Sequence, residues 1–355
     1  MNPILLAIFA SVISLLCTAA THPLLIRIAR KRGIVDTPNF RKTQSTPIPV
    51  LGGVAIFAGI LISLTIIHIA IGLPQLLTVI ISIVVMTAIG ILDDIFDLSP
   101  ITRLIVQALL ALVIIYAGDV SLNNLHGLWG VGTLSGEISI PLTIISVIGI
   151  VNALNFIDGI DGLFAIFCIC FLTIYSTIFH TTGDVTMLML CTATIGALIP
   201  SLLYNILDGK MKMFIGDGGS LQVGIIVALC VVEIIGKSDA SYLSELHNIA
   251  IVPFVLATLS MAIADALRVI ITRICHGCSP LVGDRRHLHH RLTDMGISHI
   301  GAAVIITLLN GVVIVTLYTS AHLDANPQMQ LYIVIITSLS LNCGAYYLPN
   351  HKWLK

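Results

Sequence analysis

Long apolar runs alternate with short polar segments along almost the whole chain. A bilayer-spanning helix needs about 20 mostly apolar residues, and about eleven runs meet this length. The predicted spans cover residues 4–26, 50–71, 75–92, 101–117, 138–156, 163–181, 185–204, 219–236, 248–270, 300–320 and 329–347. Each should be helical, because a backbone in lipid must satisfy its own hydrogen bonds. The pattern predicts an all-α, polytopic integral membrane protein that forms a single transmembrane domain over residues 1–355.

The composition agrees with this fold class. The chain is 57% hydrophobic and only 10% charged, whereas soluble domains carry roughly 25% charged residues. Its formal net charge of −1 adds little to this picture, and nothing in the sequence supports a nucleic-acid partner. No basic segment precedes the first apolar run, so we expect this run to be retained as a span and not removed as a signal peptide.

The distribution of basic residues predicts the orientation in the membrane. With the N-terminus outside, the inner segments lie near residues 27–49, 93–100, 157–162, 205–218 and 271–299, followed by the tail from residue 348. Of the 17 Lys and Arg residues, all except Lys237 fall in or beside these segments. Because basic residues concentrate on the cytoplasmic side, we predict an external N-terminus and a cytoplasmic C-terminus.

A first polar cluster lies at the end of the third run, in the sequence ILDDIFDLSP. It contains Asp93, Asp94 and Asp97. Carboxylates in a membrane segment are costly unless they line a wet cavity or pair with cations. Adjacent aspartates suit Mg²⁺, a hard cation that takes few carboxylates and completes its shell with water or phosphate oxygens. The alternative is a solvated helix end.

A second cluster ends the fifth run, in NALNFIDGIDG. Asn152, Asn155 and Asp158 are spaced three residues apart and would share one helical stripe. Gly159 and Gly162 would let the backbone approach a ligand closely. These residues can also stop a helix, but four polar groups in register favour a polar site.

A third cluster, KMKMFIGDGGS, precedes the eighth run. Lys210 and Lys212 lead to Phe214 and then to Asp217 within a glycine-rich turn. Glycines before a helix N-terminus can form an anion site from free backbone N–H groups. A plain turn is the alternative.

A fourth cluster, GDRRHLHHRL, lies in the last inner loop. Guanidinium groups bind phosphate bidentately and imidazoles add donors, so this set indicates phosphate binding. The alternative is a solvated basic loop. The candidate ligands are Arg285, His287, His289 and His290.

Asp265 lies inside a predicted span, one helical turn before Arg268. Ionisable residues in such positions usually pair and face the protein interior, so we expect a cavity-lining pair rather than exposure to lipid.

The predicted topology places all four clusters on the cytoplasmic face. A divalent metal site beside a phosphate site indicates metal-assisted phosphoryl chemistry. The alternative is a polytopic transporter or a membrane protein that binds a lipid intermediate. Transporter sites usually lie near the bilayer midplane between repeated halves, and the sequence shows neither feature.

Six motifs resemble those of the polyprenyl-phosphate N-acetylhexosamine-1-phosphate transferases, glycosyltransferase family 4, and most closely their WecA-like branch. In order, they are GIVDTPNFRK, PIPVLGG, LDDIFD, NALNFIDGIDGL, FIGDGGS and DRRHLHH, spanning roughly residues 33–291. The related MraY proteins carry consecutive histidines in the last motif, whereas this chain reads His-Leu-His-His.

The resemblance implies transfer of a sugar 1-phosphate, with N-acetylglucosamine 1-phosphate as the first expectation, from a UDP-N-acetylhexosamine to undecaprenyl phosphate. UMP would be released and a cell-envelope polysaccharide initiated. It implies Mg²⁺ as cofactor, with Mn²⁺ as a substitute, and a multi-pass protein among the lipids of the bacterial inner membrane whose active site faces the cytoplasm. A homodimer is left open.

The resemblance also implies roles for individual residues. Asp217 and Asn155 would bind the metal, and Asp93 and Asp94 would join Asp217 at the catalytic centre. The expected substrate-binding residues are Asn152, Asp158, Asp161, Phe214, Arg273, Arg285, His287, His289, His290 and Lys42. Among them, Phe214 would stack on uracil and Asp161 would hydrogen-bond the nucleoside. The chain departs from the pattern at Gln44, where the family usually has histidine.

The predicted topology can be tested with single cysteines introduced into a variant that lacks the eight native ones. Cysteines beside Asp97 or Lys210 should resist an impermeant thiol reagent in intact cells, because the inner face is shielded by the bilayer. A cysteine at Ser135, in the long outer loop, should react. Labelling of the Lys210 position from outside would overturn the topology.

Overall fold

The computed structural model describes residues 2–36, 46–207, 209–236, 248–279 and 285–348. Within this part of the chain there are thirteen α-helices and two small antiparallel hairpins. Lys42 and Gln44, both singled out by the sequence, lie outside the described residues. The all-α membrane class is confirmed, since helices account for nearly all of the regular structure.

The helices follow the apolar runs closely. They are α1 Pro3–Arg32, α2 Gly52–Ile71, α3 Leu76–Phe96, α4 Pro100–Ala117, α5 Gly136–Ile157, α6 Leu163–Thr182, α7 Val185–Ile206, α8 Gly216–Gly236, α9 Ile251–Thr258, α10 Ser260–Cys275, α11 Leu288–Asp294, α12 His299–His322 and α13 Pro327–Tyr346. Ten of these are long and apolar enough to cross a membrane, and α9 with α10 adds an eleventh if this bent pair is one span.

The predicted span at 248–270 is not a straight helix. The chain breaks at Leu259, and α9 and α10 meet at an angle of 73°. Asn310 of α12 compensates for the break, because its amide donates to the Thr258 carbonyl and accepts from the Met261 N–H, at 3.0 and 3.1 Å. A break in a membrane helix is tolerated when neighbouring helices satisfy the freed backbone groups. The apolar pattern carried no signal for this bend.

The long loop after α4 contains a hairpin that the sequence pattern did not predict. Strands β3 Asn124–Leu128 and β4 Val131–Thr133 are antiparallel, with Leu128 opposite Val131. Trp129 and Gly130 form the two-residue turn and have φ values of 54° and 76°. Two successive positive φ angles define the turn that best matches strand twist. The other hairpin pairs β1 Val35–Asp36 with β2 Ile48–Pro49.

The chain packs as two compact units. The first comprises Met1–Asp119 and Ile144–Cys230, and the second comprises Val120–Thr143 and Val231–Lys355. In the first unit, α1 lies so close to α7 that a Cβ added at Gly196 would be 2.1 Å from the Ser11 carbonyl oxygen. Small residues permit such close packing between membrane helices, where lipid offers little hydrophobic driving force.

Burial separates the lipid-facing helices from the interior ones. Helix α8 is buried throughout its apolar stretch, whereas less than a third of the apolar stretch is buried in α1, α4 and α13. Large apolar side chains such as Ile69, Leu77 and Leu308 are 64–80% exposed, as suits a surface covered by lipid. The polar residues that begin α8 are therefore held within the protein.

Candidate active site

The N-terminus of α8 is bound by the carboxylate of Asp94, which lies near the end of α3. The backbone N–H groups of Asp217 and Gly218 donate to its two oxygens at 2.9 and 3.0 Å. A helix N-terminus offers unpaired N–H groups and a partial positive charge, so a carboxylate is a favourable partner. The anion site expected at this turn is therefore filled by the protein's own Asp94.

Glycines allow this close approach. Gly216 has a φ of 73°, and a Cβ at this position would lie 2.7 Å from an oxygen of Asp94. On the α3 side, a Cβ at Gly90 would lie 2.3 Å from the Asp217 carbonyl oxygen. On the α2 side, a Cβ at Gly53 would lie 2.2 Å from the Gly219 nitrogen. The turn that carries Asp217 is therefore held between two helices that have no side chain at the contact.

The PIPVLGG segment binds the chain just before α8. Phe214 donates its N–H to the Pro49 carbonyl and accepts from the Gly52 N–H, at 2.8 and 3.1 Å. Gly53 donates to the Ile215 carbonyl at 2.8 Å. This motif thus fixes the backbone on the N-terminal side of Asp217, a role that the sequence alone did not suggest.

Asp93 is paired with Arg103, a residue that sequence analysis did not place in the site. The guanidinium donates to one oxygen of Asp93 at 2.6 Å, and the Leu98 N–H donates to the other at 2.8 Å. Ser99 caps α4 by accepting from the Thr102 N–H, which places Arg103 in the first turn of that helix. The Ser-Pro sequence before Arg103 was the available signal, because it is typical of a helix start.

Asp217 completes a cluster of three acids, the acid cluster, with Asp93 and Asp94. Its Oδ1 accepts from the amide of Asn155 at 2.6 Å, and the same amide donates to Ser220 at 2.8 Å. Its Oδ2 lies 3.9 Å from the Arg103 guanidinium, and the side chain is 36% exposed. Asp93 and Asp217 therefore lie beside the same cation, and the Asp217 side chain keeps substantial exposure while it is bonded to Asn155.

The donor set fits a magnesium ion that is only partly coordinated by protein. In the described part of the chain, no three His, Cys, Asp or Glu side chains form a ready-made metal cage. Mg²⁺ commonly uses one or two carboxylates and takes its other ligands from water and substrate phosphates. Asp217 offers such a carboxylate, and Asn155 fixes its orientation.

Asp161, Lys212 and Phe214 form a second group in the same unit. Lys212 is 2.7 Å from the Asp161 carboxylate and lies 5.8 Å from the centre of the Phe214 ring. An aromatic face beside an ion pair suits a flat, polar ring such as a nucleobase. Lys212 therefore connects Asp161 and Phe214, the two residues that the resemblance assigned to the nucleoside. The resemblance gave Lys212 no such role.

The turn between α5 and α6 is anchored from α7. The Asn205 side chain accepts from the Gly162 N–H at 2.6 Å, and Gly162 has a φ of 84°. Burial, followed by the carboxylates of Asp217 and Asp94, raises the pKa of Asp158 well above its usual range. Asp158 therefore keeps its proton to a higher pH than an exposed aspartate.

Asn152 lies in α5, one turn before Asn155, and has partners within the protein. Its amide donates to Gln107 of α4 at 2.6 Å and to the Ile148 carbonyl at 2.8 Å. Its expected contact with substrate stays a prediction.

The histidine cluster belongs to the second unit and is arranged around α11. The rings of His287 and His289 are stacked at 5.5 Å, and that of His290 is 4.3 Å from His289. Burial lowers the pKa of His289 well below its usual range, and burial together with Arg285 lowers the pKa of His290 to about 4. The rings of His289 and His290 are therefore neutral at pH 7, and each provides one N–H donor without a positive charge.

The two arginines assigned to this region differ in exposure. Arg273, near the end of α10, is only 2% exposed, whereas Arg285 is partly exposed and lies 3.1 Å from Asp294. Lys42, the remaining predicted substrate ligand, lies outside the described residues.

The ten candidate spans and the acid cluster of Asp93, Asp94 and Asp217 at the ends of α3 and α8 suit an integral membrane enzyme. The comparisons with known proteins specify which kind. The chain belongs to glycosyl transferase family 4, whose sequence profile matches residues 76–235. The family predicted from the six motifs is confirmed.

Relatives support the assignment over most of the chain. An undecaprenyl-phosphate alpha-N-acetylglucosaminyl 1-phosphate transferase of Salmonella typhi is 30% identical over 319 residues, which cover 89% of this chain and 84% of the relative. The Haemophilus influenzae protein of the same name is 35% identical over 286 residues, covering 79% and 77%. The Escherichia coli K12 protein of that name is 32% identical over 287 residues, covering 79% and 75%.

The close contact at Gly90 can be tested by substitution. In Gly90→Ala, the new Cβ would require the Asp217 turn to move by about 1 Å, and a shift of this size can reduce turnover on the order of 100-fold. Gly149→Ala is the matched control, because nothing lies within 4 Å of a Cβ there. The measurements are transferase activity and thermal unfolding in detergent. Equal activity in the two variants would show that the turn does not depend on this contact.

Proposed function

We propose that this protein transfers a sugar 1-phosphate, with N-acetylglucosamine 1-phosphate as the first choice, from a UDP-N-acetylhexosamine to undecaprenyl phosphate and releases UMP. The observation that carries the proposal is the arrangement of Asp217, whose partly exposed carboxylate lies beside the Asp93–Arg103 pair. This is a site for a cation and a phosphate together. The names of the similar enzymes support the same donor and acceptor.

The location follows from the same proposal. Undecaprenyl phosphate is a membrane lipid, and the ten candidate spans suit a multi-pass protein that meets it within the bilayer. We place the protein in the bacterial inner membrane, with the N-terminus outside and the site facing the cytoplasm, where the nucleotide sugar is available. The concentration of Lys and Arg on that side supports the orientation. The product would initiate a cell-envelope polysaccharide.

The reaction forms one phosphorus–oxygen bond and breaks another. An oxygen of the lipid phosphate attacks the β-phosphorus of the nucleotide sugar, and the oxygen that bridges the two phosphates leaves with UMP. A phosphate monoester with a second pKa near 6 is mostly ionised at pH 7. The nucleophile therefore needs little help from a base, and positioning is the main task of the protein.

The residues of the acid cluster divide this task. Asp217 and Asn155 would hold the metal ion, and the Asn155 amide N–H also orients the Asp217 carboxylate. When bound, Mg²⁺ would neutralise charge on the diphosphate and improve UMP as a leaving group. Asp93 fixes the Arg103 guanidinium, which can stabilise negative charge near Asp217. Asp94 would act at the catalytic centre by positioning, because its two oxygens hold the α8 N-terminus and so set the position of Asp217.

The remaining candidates bind the substrates. Phe214 would stack on the uracil ring, while Asp161 would bond the nucleoside with Lys212 beside it. The neutral rings of His289 and His290 suit phosphate or sugar oxygens as hydrogen-bond partners. We also propose substrate contacts for six further residues, Asn152, Asp158, Arg273, Arg285, His287 and Lys42.

The function is tested by offering the purified protein undecaprenyl phosphate and a panel of UDP-sugars. We expect UDP-N-acetylglucosamine to give a lipid product heavier by one N-acetylhexosamine phosphate, together with one UMP per product. Mass spectrometry of the lipid and quantification of UMP measure these quantities. Absence of a lipid product with every UDP-sugar in the panel would refute the proposal.

Asp217→Asn tests the metal site. The change keeps the size of the side chain but removes the charge that attracts a hard cation, so turnover should fall on the order of 10² to 10⁴. UMP release is measured across a Mg²⁺ titration, and a parallel Mn²⁺ titration tests substitution of the metal. Asp119→Asn is the control, since Asp119 is exposed and adopts a positive φ that asparagine tolerates. Turnover within a few-fold of the native enzyme at limiting Mg²⁺ would contradict the assignment.

A further inference from the structure

Asp265 and Arg268 form a buried ion pair in α10 that the proposed reaction leaves without a role. The Arg268 guanidinium is 2.6 Å from an oxygen of Asp265, and their side chains are only 8% and 5% exposed. Burying two charges is expensive, and replacing such a pair by apolar residues is often neutral or stabilising. The pair is therefore expected to have a role other than stabilising the fold, and its contacts indicate this role.

The carboxylate of Asp265 holds the start of the histidine helix. Its Oδ2 is 2.8 Å from Nδ1 of His287, and its Oδ1 accepts from the Leu288 N–H at 3.1 Å. His287 is the residue that precedes α11, and its own side chain makes no capping bond. Asp265 thus takes the place of the missing cap and orients the ring at the same time.

Arg268 connects this assembly to α13. It donates to the Arg286 carbonyl at 2.8 Å and to the Asn342 side chain at 2.9 Å. Its guanidinium also lies 3.7 Å from the centre of the Tyr346 ring. The position of Asp265 is therefore fixed by a cation that has several other partners, so the carboxylate can orient His287 with little freedom.

We propose that Asp265 is a positioning residue that sets the orientation of His287 for the nucleotide sugar or the lipid phosphate. With Nδ1 bonded to Asp265, the orientation of the imidazole ring is fixed. Metal-binding histidines are oriented in the same way by a carboxylate on the other ring nitrogen. This inference rests on the proposed function, because it gives His287 a substrate to contact.

Asp265→Asn tests the proposal within a double-mutant cycle with His287→Ala. In the native background, we expect the Asn variant to lower kcat/KM on the order of 10- to 100-fold, the usual cost of losing a group that orients a histidine ligand. In the His287→Ala background, the same change should cost less than about twofold, because the ring to be oriented is gone. An equal loss in the two backgrounds would overturn the proposal.

A control separates positioning from the general loss of buried hydrogen bonds. Gln330 is 1% exposed and bonds the backbone of Asn248, Ala250 and Ala325 in the same unit. Gln330→Met should lower the unfolding temperature without changing kcat/KM. If it lowers kcat/KM as Asp265→Asn does, the effect of Asp265 is structural and the proposal fails.

A second variant covers the case in which Asp265→Asn does not fold. Asp265→Asn combined with Arg268→Gln removes both charges of the pair, so no buried charge is left without its partner. This variant should fold and show the same dependence on His287. Transfer by the native enzyme is measured first, so that failure of the function and failure of this inference give different results.

Discussion

The site depends on the contact between the Asp94 carboxylate and the first N–H groups of α8. This contact satisfies two backbone donors that would otherwise be unpaired at a buried helix end, and it aligns a negative charge with the helix dipole. Asp217 supplies one of these N–H groups. The position of its carboxylate is therefore coupled directly to Asp94, and through α3 to the neighbouring Asp93.

Such a contact requires helices that approach closely, and glycine makes this possible. A Cβ at Gly53 or Gly90 would collide with the backbone of the turn that carries Asp217. In lipid, helix association gains little from the hydrophobic effect and relies on tight packing and hydrogen bonds. The same glycines that stabilise the helix contact therefore bring the acidic residues together, so packing and chemistry share one set of positions.

Asp93, Asp161 and Asp265 each have a basic partner within their own unit. In the first unit, Arg103 pairs with Asp93 and Lys212 pairs with Asp161. In the second, Arg268 and His287 share the carboxylate of Asp265. Each acid thus has a partner at 2.6–2.8 Å. Because an isolated charge in a membrane protein is costly, these pairs hold the three acidic side chains in fixed positions.

The sequence by itself determined the membrane class, the position of nearly every helix and the family, because apolar length and local motifs depend on neighbouring residues. The two residues of the Asp93–Asp94 pair cannot be distinguished in this way, since their roles depend on partners elsewhere in the chain. Only the tertiary structure showed that Asp94 binds a helix N-terminus, that Arg103 enters the cluster and that the chain bends at Leu259. These features are set by contacts between distant segments, and packing decides which segments meet.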